Sequence, residues 1–305
     1  MKKIDIVILA GGKGSRIKEY LNNKPKPMLK FNDIYFLQYL LNNLTKYPIN
    51  KIYILTGFKH KIIHKNFHNK IINFTKIICI KEKKLMGTGG ALLGLQKNKI
   101  NDFLLINGDT IFNININDFV KSLKQNLIGS IALVSKKENS KSFKLNNLAL
   151  KKDLVTYSKK SNLINGGIYR FNKKIFKYLP KKYSSLEEDI LPKIIKKGLI
   201  KGKLFKNFFI DIGSLKYLKK TKKKLLINFK KPAAFLDRDG VINHDYGYVH
   251  NIKKFKFKRG VIKGLKYLVK KNFYIFVVTN QAGIAKGKFK ENDFFKLHKY
   301  LKQYL

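Results

Sequence analysis

The chain has 305 residues and a mass of 35.5 kDa, room for one large domain or two ordinary ones with separate cores. Its one cysteine, Cys79, excludes an internal disulfide framework and a cysteine-based zinc site, no apolar run approaches the roughly 18 residues of a membrane span, and the first strand opens directly into a glycine loop instead of a leader cleavage site. A cytoplasmic location with no membrane partner is therefore expected.

The 66 Lys+Arg residues against 18 Asp+Glu leave a formal charge of +48. Only Arg16, Arg170, Arg238 and Arg259 are arginines. A lysine coat spread along the whole chain gives solubility and salt-dependent attraction to polyanions, whereas base-reading surfaces concentrate arginine forks. No specific nucleic-acid partner is expected.

In chain order, β-branched runs alternate with helical patterns. Strands are expected at Ile4–Ala10, Lys51–Gly57, Lys76–Glu82, Phe103–Asp109 and Ser130–Ser135, and a helix at Phe36–Leu44. This βαβ rhythm predicts an α/β fold around a mostly parallel sheet covered on both faces, with ligands at the carboxyl ends of its strands. A lysine-rich helical tract over Lys216–Lys231 ends at Pro232, where a domain boundary is expected. Beyond it a strand (Ala233–Asp237), a helix (Gly260–Lys271), a strand (Tyr274–Asn280) and a final helix (Glu291–Leu305) make up half of a second α/β domain. The expected division is a first domain over 1–218, a linker helix over 219–232 and a second segment over 233–305.

The first strand ends in Gly11-Gly12-Lys13-Gly14-Ser15-Arg16. Three glycines in four positions let backbone N–H groups approach a phosphate chain, and a helix N-terminus following them adds positive potential. Neither the dinucleotide fingerprint nor a P-loop is present, since Ile17 stands where the last glycine of the former belongs and the GK[ST] ending of the latter is missing. A plain strand-to-helix turn is the alternative. Further on, Pro25 and Pro27 stiffen a loop that presents Lys26, Gly87-Thr88-Gly89-Gly90 opens a helix, and Asp109 and Asp211 each end a strand. Two strand-end carboxylates suit one shared Mg²⁺, although each alone is an ordinary cap or turn residue. His60, His64 and His68 recur every fourth residue among lysines and read as a solvated helix face; Cys79, in an apolar strand, reads as core.

Taken together, LAGGKGSR, PKPM, GTGG, NGDT, INGGIYRF and FIDIG resemble, in order and spacing, the sugar-1-phosphate nucleotidyltransferase family over residues 1–218. The resemblance implies a Rossmann-like, GT-A-like mixed sheet and attack of a sugar 1-phosphate on the α-phosphorus of an NTP. It assigns Gly11, Gly12, Gly14, Gly87 and Thr88 to the nucleotide, Arg16 and Lys26 to charge neutralisation, and Asp109 and Asp211 to Mg²⁺. Lys160, Asn165, Gly166 and Glu187 are implied in sugar-phosphate binding. Lys159 stands where the family carries an acid, and Glu187 reads equally as an exposed acid at a helix start.

In the second segment, Asp237 and Asp239 follow the strand AAFL and can both face one Mg²⁺, the first attacking phosphorus and the second serving as general acid/base. Thr279 and Asn280 end the next strand with groups suited to a phosphate. FLDRDGVIN with VVTNQAGIAKG resembles the haloacid-dehalogenase superfamily, among it the D-glycero-D-manno-heptose 1,7-bisphosphate phosphatases. The later lysine, second acidic motif and zinc loop of those enzymes have no counterpart before Leu305. An incomplete HAD-like domain with little or no phosphatase activity is expected.

Heptose joins the two resemblances, because LINGGIYRF and FFIDIG are similar to the heptose 1-phosphate guanylyltransferases. The implied reaction is GTP with heptose 1-phosphate giving GDP-heptose and pyrophosphate for surface polysaccharide. Mannose 1-phosphate with GTP, or another sugar phosphate with UTP, CTP or dTTP, stays open, as does homo-oligomerisation.

Overall fold

The computed structural model describes residues 3–98, 100–120, 126–135, 147–213 and 215–301, and the last four residues of the expected final helix lie outside these. Two compact units divide at Lys224 and Leu225. Among the described residues, no helix is long and apolar enough to cross a membrane.

The first unit is built on a ten-stranded mixed sheet. In chain order its strands are β1 (Ile4–Ala10), β2 (Ile49–Thr56), β3 (Ile71–Ile72), β4 (Thr75–Lys81), β5 (Asp102–Asn107), β6 (Gly129–Ser135), β7 (Leu148–Lys151), β8 (Leu154–Tyr157), β9 (Leu163–Asn172) and β10 (Ile200–Leu204). Their order across the sheet is β7-β8-β10-β6-β9-β5-β1-β2-β4-β3. The quartet β5-β1-β2-β4 is parallel, as the unbroken apolar runs predict. By contrast, β9 runs antiparallel to both β5 and β6, and β7, β8 and β3 add further antiparallel pairs. The sheet is thus more mixed than its strand pattern implies, because β9 enters the middle with reversed direction.

The helices α1 (Phe36–Leu44) and α2 (His60–Phe67) lie in the connections on either side of β2. Val7, Leu105, Ile131, Leu133 and Phe171, contributed by four strands of the sheet, join Leu186 and Ile190 in one buried cluster. At about 25 cal/mol per Å² of apolar surface, such burial is the main force holding the strand ends in register. The expected helix after the first glycine loop is instead a 3₁₀ segment at Ser15–Tyr20, broken at Ile17. A third helix, α3 (Gly87–Gly90), opens at the second glycine cluster.

The three histidines do not form a purely solvated face. The His64 ring lies 3.0 Å from Thr56 Oγ1 and stacks on His68, whose Nδ1 accepts from the Cys79 amide at 3.1 Å. Burial, then the neighbouring His68, His60 and Lys81 charges, holds His64 below its ordinary pKa. Cys79 is buried, and burial pushes its thiol up to about 12.

In the second unit, Ala233–Asp237 and Tyr274–Val278 pair in parallel, Asp237 opposite Val278. Helices at Val261–Lys270 and Glu291–Leu301 accompany them around a small core of Ile242, Val249, Phe255 and Leu297. Buried Arg238 donates to both oxygens of Asp239 and to the Val249 carbonyl, with His298 Nε2 3.5 Å away. Burial, then the Arg238 charge, pushes His298 down to about 4. His298 is therefore neutral when folded and takes a proton near pH 6.5 when unfolded, so stability falls as pH drops from about 6.5 to about 4. Urea denaturation of this unit should show a loss of about 2 kcal/mol between pH 7 and pH 5, and His298→Gln should flatten that dependence.

Candidate functional site

The parallel strands β1 and β5 of the first unit deliver motif residues at their carboxyl ends. β1 ends at Ala10, and the chain turns through Gly11, Gly12 and Gly14. Gly14 sits at φ +67°, a conformation that favours glycine. A Cβ on Gly14 would press on Leu21 and the Lys26 stem, and one on Gly11 would fall on the Glu82 carboxylate. The loop is thus closed in by the side chains of Lys26 and Glu82. Phe58 N donates to Gly11 O at 2.9 Å, tying the loop to the end of β2.

Asp109 follows β5 after Gly108, whose amide donates to Leu9 O at 2.9 Å and anchors the turn to β1. The short strand Thr110–Phe112 then pairs antiparallel with Phe209–Asp211, placing Asp211 opposite Thr110. This pairing brings together two carboxylates a hundred residues apart in sequence. Lys26 Nζ reaches Asp109 Oδ2 at 2.7 Å with both side chains largely shielded, and Gly213 N donates to Asp211 Oδ1 at 2.5 Å. Burial, then the Asp109 charge, pushes the Asp211 carboxyl up to about 7, against the pull of the Gly213 amide, Lys26 and Arg16.

A buried carboxylate destabilised by a like neighbour lacks positive charge. The donors are hard oxygens, which suit Mg²⁺ completing its shell with water and phosphate. Among the described residues, no group of three or more His, Cys, Asp or Glu side chains is placed to hold a metal. Asp109 and Asp211 fit such an ion only together with substrate oxygens.

On the neighbouring strand β9, the register shifts between Asn165 and Tyr169. Asn165 Oδ1 accepts from Gly167 N at 2.9 Å, and its Nδ2 donates to Tyr169 Oη at 2.6 Å. Tyr169 Oη in turn donates to Glu187 Oε1 at 3.2 Å, and Thr88 Oγ1 donates to Glu187 Oε2 at 2.8 Å. Glu187 is therefore a tethered, half-buried acid and not merely an exposed helix-start residue. Gly166 is buried under Phe112; a Cβ there would lie 2.5 Å from the ring and 2.8 Å from the Ala132 carbonyl oxygen. Gly166→Ala should destabilise the first unit by about 1–3 kcal/mol through overpacking, read as a lowered melting temperature. Lys160 stands exposed on the turn after β8, outside these contacts, and Arg16 is exposed on the 3₁₀ segment.

Glu82 and Tyr169 were not singled out in the sequence. Glu82, just past β4, is half-buried against Gly11; burial raises its carboxyl, against a 3.3 Å bond from Met86 N. Burial, then the Glu187 charge, holds the Tyr169 phenol well above its ordinary value, so it stays protonated.

In the second unit, Asp237 and Thr279 lie at the same ends of their paired strands. Asp237 is exposed, and Asp239 accepts from Arg238, Asn243 Nδ2 (2.9 Å) and Gln281 Nε2 (3.0 Å). Burial opposes ionisation of Asp239, but these bonds and the Arg238 charge together hold its carboxyl below the ordinary value. A carboxylate locked as an anion does not suit the general-acid half of the expected role. Gln281 Nε2 also donates to Thr279 Oγ1 at 2.7 Å, and Asn280 is exposed.

The nucleotidyl transferase family model matches residues 5–227. The D-glycero-α-D-manno-heptose 1-phosphate guanylyltransferase of Campylobacter jejuni is 33% identical over 214 residues, 68% of this chain and 93% of that protein. The bifunctional protein GlmU of Methanococcus aeolicus is 32% identical over 220 residues, 69% of this chain and 51% of that protein. The chain thus spans about half the length of that relative and nearly all of the guanylyltransferase. Among solved structures, HddC of Yersinia pseudotuberculosis complexed with GMP-PN superposes with a TM-score of 0.62 at 30% identity, over 73% of this chain and 99% of that one.

Proposed function

Starting from a chain that belongs to the nucleotidyl transferase family, we propose that its first unit condenses GTP with a sugar 1-phosphate, D-glycero-α-D-manno-heptose 1-phosphate before others, to give GDP-heptose and pyrophosphate. The observation that carries this reading is the shielded cluster of Lys26, Asp109 and Asp211 beside the glycine loop. A phosphate oxygen of the sugar 1-phosphate attacks the α-phosphorus of GTP in line; the new P–O bond forms as the bond to the bridging oxygen of pyrophosphate breaks. Such transfer depends on positioning and charge neutralisation more than on proton transfer.

The amides around Gly11, Gly12 and Gly14 cradle the triphosphate, and Gly87 borders the nucleotide. Lys26 and Arg16 neutralise the departing pyrophosphate. Bound by Asp109 and Asp211, Mg²⁺ supplies charge neutralisation on phosphate oxygens. Glu187 and Asn165 take sugar hydroxyls, and Lys160, exposed on the turn after β8, supplies a positive charge for the sugar phosphate.

Guanine is favoured because the Glu82 carboxylate, beside Gly11 and the Met86 amide, offers two acceptors to a base edge carrying adjacent N1–H and 2-amino donors. Heptose is favoured by the named activity of the Campylobacter relative. The test is pyrophosphate release with GTP, ATP, CTP, UTP and dTTP against heptose, mannose and glucose 1-phosphates. Turnover concentrated on GTP and heptose 1-phosphate supports the reading; preference for another pair replaces the substrates, and no turnover with any pair rejects the reaction.

For the second unit we propose a HAD-like fragment in which Asp237 occupies the nucleophile position and Thr279 and Asn280 the phosphate side. The anchored Asp239 predicts phosphate release from heptose 1,7-bisphosphate at background level. Asp237→Asn should leave nucleotidyl transfer unchanged, measured as pyrophosphate release.

A further inference from the structure

We infer that Tyr169 and Thr88 are positioning residues that hold Glu187 for the sugar, and that Thr88 builds the sugar site on the same turn that takes the nucleotide. The inference rests on the sugar-binding role proposed above for Glu187. The direction of the hydrogen bonds is fixed from one end. Asn165 Oδ1 is committed to the Gly167 amide, so its NH₂ faces Tyr169. The phenol oxygen accepts that bond, and its single proton goes to Glu187 Oε1.

At the other end, Leu186 N donates to Thr88 Oγ1 at 2.8 Å, and the Thr88 proton goes to Glu187 Oε2. Oε2 thereby receives Thr88 and, at 3.4 Å, Ser185 Oγ, while Oε1 receives Tyr169 alone and keeps a lone pair for a hydroxyl group of a ligand. Tyr169 itself is fully buried, whereas Glu187 is half-exposed, so the carboxylate is the end of the chain of bonds that a ligand can reach.

Thr88 also belongs to α3, and α3 is docked against the segment that carries Glu187. Gly89 N donates to Ser184 O and Ser184 N to Met86 O, both at 2.9 Å. A Cβ on either Gly87 or Gly89 would strike Ser184. The glycines of the turn therefore serve close packing against residues 184–187, and the Thr88 hydroxyl bonds both Glu187 and Leu186. A nucleotide that orders this turn orders the carboxylate with it.

Steady-state kinetics with GTP and D-glycero-α-D-manno-heptose 1-phosphate test the inference on the full chain. Tyr169→Phe keeps the ring and should raise KM for the sugar phosphate about 10-fold, with KM for GTP and kcat within about twofold. Thr88→Val should raise the same KM, and Thr88→Ser should restore it. In a Glu187→Ala background, Tyr169→Phe should add nothing further, because the group it positions is gone. An equal effect in both backgrounds would mean a merely structural ring and overturns the inference. A normal KM in Tyr169→Phe beside a raised one in Glu187→Ala overturns it while sparing the role of Glu187. A normal KM in Glu187→Ala removes both.

Discussion

Replacing Asp109 with alanine should lower kcat for nucleotidyl transfer by about 10³-fold, the scale of losing a fixed electrostatic partner of the transition state. Asp109 is the point at which Lys26 and the buried Asp211 meet. Without it, Lys26 loses its 2.7 Å partner, and a divalent cation is left with one carboxylate. The fold should survive, since the Asp109 side chain is about a quarter exposed and Gly108 keeps its anchor to Leu9. Removing the Asp109 charge relieves the repulsion that raises Asp211 but leaves the shielded Lys26 without its partner, so the variant should melt somewhat below the parent while still unfolding cooperatively. Full activity in a well-folded D109A protein would discard the assignment of this cluster to catalysis. The companion change Lys26→Ala should likewise lower kcat, with Lys26→Arg recovering only part because a planar fork replaces a point charge.

The parallel strands were readable because each is a short run rich in Ile, Leu, Val or Phe that ends at a glycine or a polar residue; Ile4–Ala10 and the helix Phe36–Leu44 match to the residue. What was not readable depends on pairing at a distance. The strand carrying INGGIYRF runs antiparallel to both of its neighbours, and local pattern does not encode direction. The 3₁₀ form of Ser15–Tyr20 follows from left-handed Gly14 and the kink at Ile17, where a regular helix was expected.

The same limit applies to the site. That Asp109 and Asp211 end strands is visible in sequence, but the pairing that joins them is tertiary. Glu187 gains its tether from Thr88, 99 positions away, and Glu82 stands among lysines with no local sign that it lies against Gly11. A lone acid at a strand end in a chain of 66 basic residues is the one signal that singles Glu82 out, and it is weak without the fold.

Glu82→Gln should cut kcat/KM for GTP by about 10- to 100-fold, the range of one charge-assisted hydrogen bond, while weakening other nucleotides far less. Glutamine keeps the shape of the side chain and one acceptor but exchanges the second acceptor for a donor. That donor faces the N1–H or the 2-amino group of guanine, so one good pairing becomes a repulsive one. Inosine triphosphate separates this account from a general loss of binding, because it lacks the 2-amino group. The parent should prefer GTP over ITP by about 10-fold or more, and Glu82→Gln should erase most of that preference. The burial that raises the Glu82 carboxyl sharpens the effect, since a shielded acceptor left without its donor costs more than one open to water. A GTP-to-ITP ratio that stays the same in both proteins would remove Glu82 from base recognition and leave the choice of base to the backbone around Gly87–Gly90.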